Sequence, residues 1–247
     1  MEIIKSLFTL PNLNVDVKIL QTWYEHRLEQ AGFPKTNEYK NRWYGDYVLM
    51  LKNVDYHNKL ILGIGERDSF LGAYLSSFSK VWITDNFEQI FWWEKEDPRF
   101  KREYWENYWL KIAEKPENII IQHQDAMDII AADEFYDIVY SICVFEHIDN
   151  WLRALKESYR VLKPGGVCYL TIDCWKTGLE LPHSNIINYY EFIDRAREIG
   201  FTVHLQDTLV DIVDVYSKIN LIIDEETGKP LKAKFPYCIG RFFLYKG

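Results

Sequence analysis

The stretch from Lys59 to Asp85, KLILGIGERDSFLGAYLSSFSKVWITD, constrains the fold more than any other part of the chain. The run Leu60-Ile61-Leu62 is short and bulky enough to be a strand buried on both faces. Gly63 and Gly65 follow at once, then the helix-starting residues Asp68 and Ser69. Phe70, Leu71, Tyr74, Leu75 and Phe78 continue at helical spacing. A second apolar run, Val81-Trp82-Ile83-Thr84, ends on Asp85. Strand, glycine turn, helix, strand and acid make the first half of a nucleotide-binding α/β sheet. Glycine lets the backbone approach a ligand, and a helix N-terminus turns N–H groups toward negative charge. Asp85 stands 20 residues after Gly65, where a carboxylate accepts both hydroxyls of a ribose. Arg67, Asp68 and Ser69 fill the places of the third glycine of the dinucleotide fingerprint. The turn alone therefore leaves nicotinamide and other nucleotide cofactors open.

Composition narrows the class. A chain of 247 residues, 48% hydrophobic and 27% charged, suits one α/β domain with a large core. The net charge of −8 argues against nucleic acid as a partner, because phosphate contacts need clustered Lys and Arg. No apolar run is long enough to span a bilayer, so no membrane partner is expected. The N-terminus lacks a basic start and a small-residue cleavage site. Cys143, Cys168, Cys174 and Cys238 form no CxxC pair and read as reduced thiols, which with the N-terminus suggests the cytoplasm and no metal site.

Taken in order, residues 15–31 and 38–51 read as amphipathic helices that precede the first strand. They make an N-terminal helical cap over 1–57 on a core of 58–247, the whole a single domain. Residues 86–117 form an aromatic insertion whose second half is a helix with Phe100, Tyr104, Tyr108 and Ile112 one turn apart. Trp92 and Trp93 before it suit the floor of a substrate pocket. Strands follow at 118–122, 137–141 and 167–172. A helix from Asp149 or Asn150 runs to Leu162, stopped by Lys163-Pro164-Gly165-Gly166. Beyond a loop at 173–186 come a helix at 188–199 ended by Gly200, a strand at 201–205, and a last strand at 240–245; residues 207–238 are ambiguous. Strands alternate with helices until the end, which implies a mostly parallel sheet with one antiparallel edge strand and helices on both faces.

The residues from Gln124 onward, QDAMDIIAADEFYDIVYSICVFEHIDNWLRALKESYRVLKPGGVCYLTID, resemble the second half of the class I methyltransferases that use S-adenosylmethionine (SAM), of the small-molecule type. The acid-Ala pair, the DIVYS strand, the EHI turn and the RVLKPGG helix end stand in the family's order. With the glycine turn and Asp85 the resemblance covers roughly residues 59–172. It implies a seven-stranded Rossmann-like sheet with an antiparallel last strand, SAM as cofactor, and a small-molecule acceptor. Gly63 would stand at a position that is usually acidic, and Gly65 at the first glycine; Arg67 and Ser69 replace the next two. The resemblance places Asp85 and Asn86 at the ribose, Asp125 and Ala126 at the adenine, and Ser141 and Ile142 near the methionine part. Arg67 would pair with the cofactor carboxylate.

The reading that follows is a methyltransferase, monomeric or homodimeric, acting on an O or N of a small polar acceptor, sugar-like or aromatic. His147 is the candidate general base, with His183 and Glu146 behind it. Trp92, Trp93, Trp175 and His183 are the candidate acceptor contacts, and part of the cap around Trp43 and Tyr44 is expected on the acceptor side of the cleft. Two alternatives remain, a nicotinamide-dependent oxidoreductase and a non-catalytic subunit of the same fold.

Overall fold

The computed structural model describes residues 13–33, 41–67, 69–87, 101–175, 187–205, 210–211 and 237–247. Two helices lead, α1 (Leu13–Ala31) and α2 (Asn41–Asn53). The strand β1 (Leu60–Ile64), the short helix α3 (Leu71–Leu75) and the strand β2 (Lys80–Asp85) follow. Then come α4 (Arg102–Ile112), β3 (Ile119–His123), β4 (Tyr136–Ile142), α5 (Trp151–Val161) and β5 (Leu162–Trp175). The chain closes with β6 (Ile187–Asn188), α6 (Tyr189–Ile199), β7 (Phe201–Leu205), β8 (Val210–Asp211) and β9 (Tyr237–Lys246).

The main sheet runs β3-β2-β1-β4-β5-β9-β7, with β6 on β5 and β8 on β9. From β3 to β5 every pairing is parallel, whereas β9 is antiparallel to both β5 and β7. This is the expected mostly parallel sheet with an antiparallel last strand, with one correction. The last strand is not at the edge; it slots between β5 and β7, which itself runs parallel to β5. Pro164-Gly165-Gly166 also differs from its reading as a plain helix stop. The helix ends at Val161 and the strand starts at Leu162, but β5 pairs Leu162 with Tyr136 and then Val167 with Ile138. The residues between loop out, with Gly165 at φ +74°. Lys163 reaches back to Asp137 at 2.8 Å, and the other Asp137 oxygen accepts from Leu60 N–H at 2.8 Å. Together these bonds lock the bulge to the start of β1.

Helices cover both faces. The tetrad Ala154, Leu155, Phe192 and Ile193 from α5 and α6 packs against Leu62, Val139, Leu170 and Leu244. The other face carries α1, α2, α3 and α4, packed on Ile61, Ile83, Tyr140 and Tyr169. Much of the aromatic content is used here. Phe70 is fully buried and ringed by Trp23, Tyr24, Tyr44 and Tyr47, with Tyr24 stacked on it at 4.1 Å. Tyr44 is therefore core. Trp105 and Trp109 of α4 are buried as well, and Trp109 Nε1 donates to the Ser69 carbonyl at 3.1 Å. The N-terminal cap is built into the core through these rings.

Candidate functional site

A cleft of about 390 Å³ opens at the C-terminal ends of β1, β2 and β4. The chain passes from β1 outward to β2 and β3, then returns to β4 on the other side of β1. Loops leave the strand ends in opposite directions at that switch, and open α/β sheets bind ligands in the crevice so formed.

The floor begins at Gly65. Its N–H and that of Glu66 both donate to the Thr84 carbonyl, at 2.8 and 3.1 Å, which folds the turn over the end of β2. Gly65 has φ +72°, and a Cβ there would meet Val144 Cγ2 at 2.4 Å. Both the left-handed backbone and the close approach of the β4 loop thus require glycine. Asp85 is the hub of the opposite wall. One oxygen accepts from Arg67 N–H at 3.2 Å and the other from Phe87 N–H at 2.7 Å, while its carbonyl accepts from Gln124 N–H. The carboxylate so ties the glycine turn to the segment after β2, and the Asp85 backbone carbonyl holds the segment after β3. Asp125 caps its own turn, with Oδ1 accepting from Met127 N–H at 2.8 Å. His147 sits exposed on a single 3-10 turn, Phe145–His147, directly after β4.

Of the residues the sequence singled out, Gly65, Arg67, Asp85, Asn86, Asp125, Ala126, Ile142 and His147 line this one cleft. Gly63 and Ser141 do not. Gly63 lies within β1, where a Cβ would come within 2.6 Å of the Tyr140 hydroxyl, so it makes room for that ring. Ser141 is fully buried and donates to the Ile64 carbonyl at 3.0 Å, bracing β4 to β1. Trp92, Trp93 and His183 lie outside the described residues, as does the side chain of Trp175, whose backbone ends β5.

The structure adds residues the sequence reading missed. Thr84, Gln124, Met127, Cys143, Val144, Ile148 and Asp149 complete the lining, together with Trp43 of α2, which the sequence places with Tyr44 beside the cleft; Tyr44 is in the core instead. Glu66, buried beneath the turn, accepts from Gly72 N–H at 3.1 Å near the start of α3. Burial first, and then the neighbouring Glu66 carboxylate, push the Tyr140 phenol well above its usual range. Of the four described non-glycine residues with positive φ, Phe87 and Cys143 stand just past the ends of β2 and β4. Behind the β4 wall, ligand atoms of Cys143, Glu146 and Asp173 lie within 4.8 Å of one another. Two oxygen donors and one sulfur donor are the ligand types of a divalent-cation site.

Residues 102–170, from α4 into β5, match the family model of the methyltransferase domain. Among solved structures, the phosphoethanolamine N-methyltransferase 2 of Haemonchus contortus, in complex with S-adenosyl-L-methionine, superposes with a TM-score of 0.62. It is 15% identical, over 92% of this chain and 56% of that one. The geranyl diphosphate C-methyltransferase of Streptomyces coelicolor, solved with Mg²⁺, geranyl diphosphate and S-adenosyl-L-homocysteine, also gives 0.62. Here the identity is 11%, covering 97% of this chain and 99% of that one. The YcgJ protein of Bacillus subtilis gives 0.58 at 13% identity, over 82% and 98% of the two chains. At such identities the likeness is one of fold. No curated protein sequence matches the chain. The matched segment favours a methyltransferase over the nicotinamide oxidoreductase left open at the glycine turn, which lies outside it. The chain thus carries a segment similar to the methyltransferase domain, set in a sheet whose fold it shares with methyltransferases of known structure.

Proposed function

We propose that the protein transfers the methyl group of SAM to an oxygen or nitrogen of a small polar acceptor, sugar-like or aromatic. The observation that carries this reading is the convergence of Gly65, Arg67, Asp85, Asn86, Asp125 and Ala126 on one cleft that also holds His147. The cleft fits such a cofactor. Its volume of about 390 Å³ is within the range of small-molecule sites. Gly65 leaves bare backbone at the turn, and a carboxylate accepts about four hydrogen bonds, so the two turn amides on Asp85 are compatible with ribose hydroxyls. The names of the structural neighbours span N- and C-methylation and do not choose the acceptor.

Bound there, SAM supplies an electrophilic methyl on a sulfonium sulfur. The work of the chain is then orientation and exclusion of water. Asp85 and Asp125 would hold the two ends of the nucleoside, and Ile142 and Val144 would wall the side toward β4. Transfer requires the acceptor in line at about 3 Å from the reacting carbon. As the methyl carbon passed from sulfur to the acceptor O or N, with the C–S bond breaking to leave S-adenosylhomocysteine, the imidazole of His147 would take the acceptor's proton, a histidine being a base suited to near-neutral pH.

The test uses SAM labelled in its methyl group, purified protein and fractionated small-molecule cell extract, with release of S-adenosylhomocysteine and labelled product followed by mass spectrometry. Acceptor-dependent release is expected. His147→Ala should lower it by about a hundredfold with SAM affinity unchanged. Full turnover in that variant removes His147 from the chemistry, and SAM binding without release in any fraction contradicts the proposed activity.

A further inference from the structure

The face of the sheet that carries the cap is apolar along most of its length, from Leu20 of α1 to Trp109 of α4. Buried charge interrupts it at Glu66, beneath the glycine turn, and again at Asp46. Asp46, on α2, is fully buried, and its Oδ1 accepts from Arg241 Nε of β9 at 2.5 Å. The Asp46 backbone carbonyl accepts from the Tyr169 hydroxyl of β5 at 3.0 Å. Tyr169 and Thr171 stand on one face of β5, and Arg241 is paired with Thr171 across the ladder. A single residue of the cap is thereby bound to two neighbouring strands. Thr171 Oγ1 in turn contacts Cys143 Sγ at 3.4 Å, and Cys143 lines the cleft.

The proposed chemistry makes no use of this pair, and its burial is a poor source of stability. Taking both charges out of water costs about what their attraction returns, and a well-packed apolar pair is often as stable or more so. What the pair does supply is selectivity for one arrangement. Apolar rings tolerate a helix that rolls or slides, because one hydrophobic contact replaces another. A roll of α2 by one residue, about 100°, would leave a carboxylate and a guanidinium buried apart. Asp46 uses only one oxygen in the pair, and Oδ2 has no hydrogen-bond partner among the described residues. The contact is thus made in one geometry and is not shared among several.

The residue whose place this fixes is Trp43. It precedes Asp46 by three positions, on the same side of the helix, and its side chain lines the cleft with Gly65, Asp85 and His147. We propose that the Asp46–Arg241 pair is a positioning device that sets the roll of α2 and thereby holds Trp43 as a wall of the cofactor cleft. The proposal rests on the reading of that cleft as the SAM site.

The experiment separates position from stability. Protein labelled with 5-fluorotryptophan gives a ¹⁹F resonance for Trp43, assigned by its loss in Trp43→Phe. The pair is replaced by Asp46→Leu with Arg241→Met, and separately by Arg241→Lys, which keeps the charge and removes the Nε donor. The apolar double variant should melt at or near the parent temperature. Its Trp43 resonance should shift or broaden without ligand, and SAM titrated by calorimetry should bind about tenfold more weakly. Arg241→Lys should move the same two readouts in the same direction, and it decides the matter if the double variant does not fold. A folded variant that keeps both the parent resonance and the parent SAM affinity overturns the proposal and leaves the pair structural. A parent protein that does not bind SAM strikes the reading of the cleft instead; the ligand-free ¹⁹F comparison then still judges the pair.

Discussion

Replacing Gly65 with alanine tests the turn at the centre of the site. Gly65 has φ +72°, where an L-residue is strained by about 1–2 kcal/mol. Its new Cβ would also lie 2.4 and 2.6 Å from the two Val144 methyl carbons. Overpacking of this kind costs about 1–3 kcal/mol, so the total is roughly 2–5 kcal/mol, a large part of the 5–15 kcal/mol that holds a typical protein folded. The structure supplies its own control. Gly165 has nearly the same backbone, φ +74°, but a Cβ there meets nothing within 4 Å. Gly165→Ala should therefore lose only the backbone component, about 1–2 kcal/mol. Urea denaturation of the two variants without ligand measures both losses. In a Val144→Ala background the excess at Gly65 should shrink, with a coupling of roughly 1–3 kcal/mol between the two sites. Equal losses at Gly65 and Gly165, or no coupling to Val144, would refute the argument that the β4 loop presses on this turn.

Three further outcomes follow from named contacts. His147 is exposed and follows the end of β4, so His147→Ala should leave the melting temperature within a degree or two while turnover falls, as calorimetry and rate measurements on one preparation would show. Burial alone would raise the Asp137 carboxyl, but the Lys163 ammonium and the Leu60 N–H outweigh it and hold it below the usual carboxylate range. Its folded pKa is depressed, so its contribution to stability is present above the unfolded value of about 3.9 and is lost as the pH falls through the folded value. Asp137→Asn should accordingly destabilise at pH 7 by at most about 1 kcal/mol, because solvent screens a partly exposed pair, with the gap to the parent closing as the pH falls below about 3.9 in urea titrations. Asn188 caps α6, its Oδ1 accepting from the Tyr190 and Glu191 amides; Asn188→Ala should cost about 1 kcal/mol by the same assay, and no loss would mean that the cap contributes nothing.

What the sequence disclosed was mostly local. The β1–turn–β2 unit is legible because apolar runs and glycines punctuate it, and α6 because Asn188 caps it and Gly200, at φ +118°, ends it. Strand order is a different kind of information. The last strand reads as a strand from its own residues, but nothing in them says that it enters between β5 and β7. Gly63 and Gly65 look alike in the sequence, yet Gly63 lies within β1 against Tyr140, whereas Gly65 stands past the end of the strand at φ +72° and lines the cleft. Trp43 and Tyr44, adjacent aromatics at the start of α2, differ by helical rotation, one lining the cleft and the other in the core. The cleft members that had no signal, such as Cys143, Val144 and Asp149, come to it from loops placed by long-range pairing. Asp46 and Arg241 are 195 residues apart, and no local pattern links them.

The central claim is that Asp85 anchors SAM in the cleft, and calorimetric titration of the parent and of Asp85→Ala with SAM tests it most directly. Two charge-assisted hydrogen bonds to the ribose would be lost, each worth roughly 1.5–3 kcal/mol. The account predicts a folded variant that binds SAM at least about a hundredfold more weakly than the parent. Unchanged SAM affinity in a folded Asp85→Ala protein would contradict it.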